Sequence, residues 1–411
     1  MAEGREESFG PAKPGRRSRR QNPEVRAREA QAVPRRPGFT RPELGIVAAA
    51  AFLVFSRVFG LSLVLPGFRA YGETLTGNAV LVGTALSAYG LTFALMQLPL
   101  GILSDRIGRR PVLILGTVLF VAGSVWAALA DSIGTLIAAR LLQGMGTVAS
   151  VAMAAVGERI PEERRTVAMA LIGIPAGLGF LLGFIANPLL APHVGGIPGL
   201  FWVTAAMGLA AGIPILAFHG KSPTNISAPP GDRRSLGLPV LSLAACGFTV
   251  NYALTTVVFF LPDVGSGTFV LLILASLVLL AVASQGIDRS RATWQPVIAG
   301  MVVLAGAAGL FVDGTPPWLW LGGILFFATH GVLSAVLPSQ VSRLAGRSGG
   351  RGHGIQNVVG YLGTFAAGPI AGRLVAHPAV ALGILATLAA ASAVLVARGL
   401  ARVPAVNPST A

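Results

Sequence analysis

Residues 101–110 read GILSDRIGRR, a stretch that holds one carboxylate, Asp105, among three arginines. A long apolar run lies on each side, residues 79–101 before it and residues 112–130 after it. A helix of about 20 apolar residues is needed to cross the hydrocarbon core of a bilayer, which is about 30 Å thick. The stretch is therefore predicted to be a short polar loop between two transmembrane helices.

Apolar runs of this length recur along the whole chain of 411 residues. Hydrophobic residues make up 53% of the sequence and charged residues only 11%. A soluble domain carries about 25% charged residues. We therefore predict an all-α membrane protein with twelve transmembrane helices. The predicted spans are 44–67, 79–101, 112–130, 133–156, 166–190, 198–218, 237–261, 267–286, 296–312, 318–339, 353–376 and 378–398.

The loop arginines and lysines test both the number of spans and their orientation, because loop cations favour the cytoplasmic side of a membrane. When alternate loops are assigned to the two sides, the outer loops contain only Arg69 and Arg373, and the inner loops contain the other loop cations. An error of one helix would destroy this asymmetry. The sequence thus predicts an even number of spans with both termini in the cytoplasm.

The net charge of +15 raises the question of a nucleic-acid partner. Much of that charge lies in the first 42 residues, which contain Lys13 and ten arginines. This segment is too poor in large apolar residues to fold alone. We predict that residues 1–43 form a solvated, disordered basic tail in the cytoplasm, for which association with anionic lipid of the inner leaflet stays open, and we expect no nucleic-acid partner.

A second polar segment divides the membrane-embedded part of the chain. Residues 219–236 contain three prolines and adjacent arginines, and they separate six spans in residues 44–218 from six spans in residues 237–398. Residues 399–411 are predicted to be a short cytoplasmic tail. After the second span of the second half, the stretch from Gly286 repeats part of the first loop as Asp288-Arg289. This repeat predicts two pseudo-symmetric six-helix bundles.

Three stretches carry a resemblance to a known family. The loop GILSDRIGRR is similar to the loop signature of the major facilitator superfamily, and RLLQGMG, beginning at Arg140, is similar to its helix-four signature. Within the first span, the stretch from Arg57 to Pro66 resembles first helices of the twelve-helix bacterial drug-efflux branch. The fifth span departs from that branch, because Asn187 precedes Pro188 where a glycine is expected.

The resemblance implies a transporter in a bacterial inner membrane, with a loop that acts as a conformational latch. Asp105 is expected to meet the start of the eleventh span, near His353, when the protein is open to the outside. A role of the loop arginines as topology signals alone stays open. The predicted latch residues are Gly101, Asp105, Arg106, Gly108, Arg109, Arg110, Asp288 and Arg289.

Energy coupling requires charged groups inside the membrane, where an arginine costs about 2.5–3.5 kcal/mol on insertion scales. Arg140 with Gln143, and Arg57 in the first span, are the predicted intramembrane cation sites, and they permit an anionic or neutral substrate. No carboxylate lies in the middle of a predicted span, so Asp131 and His330 are the remaining candidates to carry a proton. Structural roles of Arg140 and His330 stay open.

A proton gradient is the expected energy source, because the sequence has no ATP-binding glycine-rich loop. We expect no cofactor, and the lone Cys246 excludes a cysteine-rich metal site. No nucleophile–base pair with suitable spacing suggests an enzyme. A monomer is expected.

Helical spacing places several polar side chains along a central path amid valine, leucine and phenylalanine, which suits a hydrophobic or amphiphilic solute. Multidrug-type efflux is the predicted function. A metabolite importer or uniporter for an organic acid, sugar or amino acid is the alternative, followed by a membrane assembly or sensory protein. The predicted path residues are Tyr89, Gln97, Asn187, Asn251, Tyr252, Gln356, Asn357 and Tyr361.

Overall fold

The computed structural model describes residues 38–146, 148–216, 237–260, 295–313, 315, 317–345 and 349–400, with residues 271, 272, 274–276, 278 and 279 of the predicted eighth span. The predicted tail up to residue 37, the linker, the tail from residue 401, and the second-loop residues Asp288 and Arg289 lie outside the described residues. In the described part of the chain the regular elements are helices, as predicted.

The helices belong to one compact unit that begins at Arg41. They are α1 (Arg41–Leu63), α2 (Phe68–Leu75), α3 (Ala79–Ile107), α4 (Arg109–Ala128), α5 (Ile133–Met145), α6 (Ala149–Arg159), α7 (Glu162–Val194), α8 (Gly196–Leu216), α9 (Leu238–Phe259), α10 (Gln295–Asp313), α11 (Trp318–Ala345), α12 (Gly349–Arg373) and α13 (Pro378–Leu400).

Nine helical segments among the described residues are long and apolar enough to cross a membrane, and they correspond to predicted spans one to seven, ten and twelve. Helices α10 and α12 coincide with predicted spans nine and eleven. Large apolar side chains on the outside of the helices are exposed, for example Leu98 at 69% and Ile213 at 64%. Such exposure is expected where lipid replaces water as the solvent.

Two span boundaries differ from prediction around the polar stretch. Helix α3 continues to Ile107 and α4 starts at Arg109, so the loop predicted over residues 101–110 is reduced to a break at Gly108. Gly108 has φ 94° and ψ 161°, a conformation that glycine adopts at little cost. The charged turns at the ends of these helices remain helical because a helix can continue past the apolar core of the membrane into a polar environment.

The predicted fourth span is divided into α5 and α6 around Gly146. A Cβ at Gly146 would lie 2.3 Å from the backbone nitrogen of Phe120, so the break lets the fourth span pack directly on α4. The first span also differs, since α1 begins three residues before the predicted position 44 and ends at Leu63. The unpredicted short helix α2 follows Gly67, whose φ is 75°.

Helices α3 and α12 run antiparallel and pack closely where α3 begins and α12 ends. A Cβ at Gly83 would lie 2.0 Å from the carbonyl oxygen of Gly368, and one at Gly372 would lie 2.2 Å from the carbonyl oxygen of Ala79. Small residues permit such backbone contact between membrane helices. We call this contact the α3–α12 seam, and we call the end that holds Ala79 and Gly372 the outer end, following the predicted orientation.

Candidate functional site

Arg140 lies on α5 with a side chain that is fully buried. Its guanidinium donates hydrogen bonds to Oε1 of Gln143 and, over 3.3 Å, to the carbonyl oxygen of Leu86. Its Cζ lies 4.5 Å from the ring centroid of Tyr89 and 5.6 Å from that of Phe68. These partners are neutral, so oriented dipoles and aromatic faces stabilise the cation.

Gln143 connects Arg140 to α4. Its Nε2 donates to Oγ of Ser124 over 2.9 Å, and Ser124 donates in turn to the carbonyl oxygen of Phe120 over 2.7 Å. The contact depends on Gly123, because a Cβ there would lie 2.4 Å from the backbone nitrogen of Gln143. The structure thus brings together Arg140 and Gln143, the two residues of the helix-four signature, and adds Ser124, which was not among the predicted residues.

Arg57 lies on α1 and is 3% exposed. Its Nη2 donates to Oγ1 of Thr117 over 2.9 Å, and its Cζ lies 4.0 Å above the ring of Phe120. Its Nε and Nη1 have no hydrogen-bond partner among the described residues. The structure therefore places both intramembrane arginines inside the first bundle, where Arg57 contacts α4 directly and Arg140 contacts it through Gln143.

The central face of α3 carries Tyr89, Phe93 and Gln97, each one helical turn from the next. Phe93 stacks on Tyr361 of α12 with ring centroids 3.6 Å apart. Gly90 lies in the same region, where a Cβ would be 3.0 Å from the carbonyl oxygen of Tyr361. Tyr89 and Tyr361 are thus brought together at the seam between the two halves, and Gln97 is buried two helical turns after Tyr89 on α3. The role of these three residues in lining a path stays a prediction.

A small cavity lies outward of this aromatic pair. It is lined by Leu65, Leu86 and Tyr89 from the first half and by Leu254, Thr255 and Val258 from α9. Tyr89 therefore both lines this cavity and contacts the guanidinium of Arg140.

The outer end is also closed by Arg69 of α2. Its Nη1 donates to the carbonyl oxygen of Phe259 over 3.3 Å, and its Cζ lies 5.1 Å from the ring of Phe259, which ends α9. Arg69 also pairs with Glu73 one turn later, with Nε and Oε1 2.7 Å apart. On the same helix, Tyr71 donates to the carbonyl oxygen of Ala130 over 3.4 Å, and burial raises the pKa of its hydroxyl.

His330 of α11 lies at a second contact between the halves. Its ring centroid is 5.9 Å from that of Phe180 on α7 and 6.3 Å from that of Phe326. Its Nε2 is buried and has no hydrogen-bond partner among the described residues. His330 is thus separate from the Arg140 cluster. Asp131 is exposed at the start of α5, where it accepts a hydrogen bond from Thr135 over 3.3 Å.

Two of the predicted latch residues, Asp105 and Arg109, form an ion-pair network with Glu158 at the inner end. Arg109 pairs with Asp105 over 2.6 Å and with Glu158 of α6 over 2.6 Å. It also donates to Ser104. Gly101 and Gly108 flank this network in sequence, and Arg106 is exposed. The predicted contact of Asp105 with the start of α12 belongs to the outward-open state and stays a prediction.

Of the other predicted path residues, Asn187 lies away from the seam, and the rest lie on α9 and α12. Asn187 donates to the carbonyl oxygens of Leu63 and Pro66 over 2.7 and 2.9 Å, and it holds the end of α1 rather than the seam. Asn251 donates to the carbonyl oxygen of Gly247 in its own helix over 2.9 Å. Tyr252 and Gln356 are buried on α9 and α12, and Asn357 on α12 is partly exposed.

Sequence reasoning missed the residues that complete the two arginine environments and the ion pairs. Their only available signals were a polar or aromatic residue in an apolar run and acidic residues near inner helix ends. Glu43 illustrates the second case, since it pairs with Arg164 over 2.7 Å and joins α1 to α7. The missed residues are Glu43, Phe68, Arg69, Thr117, Phe120, Ser124, Glu158 and Phe201.

The profile of the Major Facilitator Superfamily matches residues 50–368. This chain belongs to that superfamily, and it is a multi-pass membrane transporter rather than an enzyme. The predicted family and the predicted all-α membrane fold are both confirmed.

Individual relatives agree with this assignment. The inner membrane transport protein YajR of Escherichia coli (strain K12) is 44% identical over 156 residues, which cover 38% of this chain and 34% of YajR. The multidrug resistance protein MdtL of Shigella dysenteriae serotype 1 (strain Sd197) is 27% identical over 299 residues, which cover 70% of this chain and 72% of MdtL. The chain thus spans about a third of the length of YajR.

Among solved structures, the xylose transporter XylE from E. coli, in a partially occluded inward open conformation, has a TM-score of 0.67 at 16% identity. The match covers 87% of this chain and 99% of that chain. At this identity the similarity concerns the fold alone.

Proposed function

We propose that this chain is a proton-linked exporter of hydrophobic or amphiphilic small molecules, a monomer in a bacterial inner membrane that works by alternating access. In such transporters two bundles move about a central site and expose it to each side in turn. The similarity to MdtL, which is named a multidrug resistance protein, and to YajR, which is named an inner membrane transport protein, supports this proposal.

The observation that carries the proposal is the shape of the α3–α12 seam. Backbone contacts close it from Gly372 to Gly368, and the rings of Phe93 and Tyr361 stack further along the two helices. At Gly101, toward the other end of α3, a Cβ would meet nothing within 4 Å. A seam closed at one end supports a site that opens to the two sides alternately.

The lining of the seam supports an apolar or amphiphilic solute. Phe93, Tyr89 and Tyr361 supply aromatic surface, and Gln97 supplies a buried amide whose Nε2 lacks a partner among the described residues. Ligand sites of this kind bury an apolar body and orient it with a few polar groups. A sugar would require more hydrogen-bonding groups than these side chains offer.

We propose that His330 carries the coupling proton and that Arg140 senses it through the packing of the two halves. His330 contacts Phe180 across the bundles, so a proton on its ring would change a contact that must break when the halves separate. Aromatic faces can stabilise the resulting cation.

Dye extrusion from intact cells tests this function. Cells that express the chain should extrude an amphiphilic dye, and both a proton uncoupler and Arg140→Ala should abolish extrusion. Arg165→Ala, which removes an exposed arginine at the start of α7, is the matched control and should extrude normally. Extrusion that persists with the uncoupler would exclude proton coupling.

Purified protein in proteoliposomes tests the direction of transport. Downhill uptake of a sugar, an organic acid or an amino acid, with no movement of amphiphilic dyes, would favour the alternative importer or uniporter. A protein that binds but moves no solute would favour an assembly or sensory role.

A further inference from the structure

The inference concerns the charge of the solute and rests on the proposed function. Arg140 and Arg57 are always protonated, because a guanidinium keeps its proton in proteins. Their partners among the described residues are a glutamine, a threonine, a carbonyl group and aromatic rings. Each of these is neutral, so both formal positive charges remain uncompensated inside the first bundle.

The sequence offers no compensating carboxylate elsewhere in the membrane. Its sixteen acidic residues lie in the first tail, in loops or at the ends of predicted spans. The structure places those nearest the seam at helix ends, where Asp105 and Glu158 already pair with Arg109. Among the described residues, the membrane-embedded part of the first bundle is therefore positive.

An aromatic residue that contacts the guanidinium connects each of the two arginines to the seam. The ring of Tyr89 lies 4.5 Å from Cζ of Arg140, and Tyr89 also lines the small cavity shared with α9. The ring of Phe120 lies 4.0 Å from Cζ of Arg57, and Phe120 packs in one cluster with Tyr89 and Tyr361. An aromatic ring does not screen a charge as water does, so the field of both cations reaches the path.

We propose that the solute is an amphiphilic organic anion, with its apolar body against the aromatic rings of Phe93 and Tyr361 and its carboxylate or sulfonate toward Tyr89. Lipophilic cations of the same size bind more weakly. Coulomb's law at the effective dielectric of partly buried sites gives about a tenfold preference per cation. Nε and Nη1 of Arg57 have no hydrogen-bond partner among the described residues, so Arg57 attracts a negative charge more strongly than Arg140 does.

Tetraphenylborate and tetraphenylphosphonium test the inference directly, because they share size, shape and apolar surface and differ in the sign of their charge. Binding of both ions is measured by equilibrium dialysis against the full chain in nanodiscs, with empty nanodiscs subtracted. With about tenfold from each of the two cations, the wild-type chain should bind the anion about a hundredfold more tightly than the cation. Equal or tighter binding of the cation would overturn the inference and leave the proposed function intact.

Variants locate the source of the preference. Arg140→Gln and Arg57→Gln should each reduce it by about tenfold, whereas Arg57→Lys and Arg165→Gln should preserve it. The wild-type comparison stands if a glutamine variant fails to fold. An anion preference that stays at its wild-type value in both folded single variants, Arg140→Gln and Arg57→Gln, would overturn the inference. Failure of the wild-type chain to bind either ion would contradict the proposed amphiphile transport itself.

Discussion

The guanidinium of Arg140 and the side-chain oxygen of Gln143 are hydrogen-bonded to each other one helical turn apart inside the membrane. The amide of Gln143 has a fixed orientation, because its nitrogen donates to Ser124 of α4. The pair therefore links the charge of α5 to the backbone of α4. Among the described residues the partners of this buried cation are neutral groups that are already oriented toward it.

Loss of the acceptor in Gln143→Leu should destabilise the protein strongly. The buried guanidinium would lose a charged hydrogen bond, which contributes about 1.5–3 kcal/mol. Gln97→Leu is the matched control, since Nε2 of Gln97 is buried without a partner among the described residues and its removal should cost less. Thermal unfolding in detergent measures both variants. Equal losses of stability would contradict the assigned role of Gln143.

Gly83→Ala should prevent closure of the outer end. Its Cβ would lie 2.0 Å from the carbonyl oxygen of Gly368, and overpacking of this kind costs about 1–3 kcal/mol in the closed state. Gly306→Ala on α10 is the control, because a Cβ there meets nothing within 4 Å. The measurement is the labelling of Thr255→Cys in a Cys246→Ala background by a membrane-impermeant maleimide. Faster labelling is expected with Gly83→Ala only.

Arg69→Ala should also favour opening at the outer end. The substitution removes the hydrogen bond and the cation–π contact with Phe259, and an exposed cation–π contact of about 0.5–1 kcal/mol corresponds to about a two- to fivefold shift. Arg373→Ala, at the other arginine predicted for an outer loop, should leave labelling of Thr255→Cys unchanged. An unchanged rate with Arg69→Ala would remove Arg69 from the outer closure.

The Arg109–Glu158 ion pair should show a measurable coupling energy. Both side chains are about 15% exposed, and Arg109 approaches Oε1 of Glu158 with Nε at 3.0 Å and Nη2 at 2.6 Å. A double-mutant cycle of Arg109→Gln and Glu158→Gln should give about 0.5–3 kcal/mol in unfolding free energy. The control cycle of Arg110→Gln with Glu158→Gln should be additive. Additivity in the first cycle would show that α4 and α6 are held by packing alone.

Much of the candidate site was predictable where a residue type is rare in its surroundings. Arg57 and Arg140 are conspicuous because an arginine in an apolar run is costly. Tyr89 and Tyr361 were predicted from helical spacing, and the structure brings both to the seam. Asn187 shows the limit of that reasoning, because the same polar residue type can line a path or bind a backbone turn on a neighbouring helix.

The sequence by itself determined the helices, the family and the candidate cations. A membrane helix satisfies its backbone hydrogen bonds within one segment, so local composition and loop charge are enough to define it. Only the tertiary structure decided which neutral groups surround Arg140 and Arg57, because Gln143, Ser124 and Phe120 come together through packing at Gly123 and leave no local pattern. Closure of the outer end is likewise a property of two antiparallel helices more than 250 residues apart in sequence, as Gly83 and Gly368 are, and it depends on the absence of side chains at their contact.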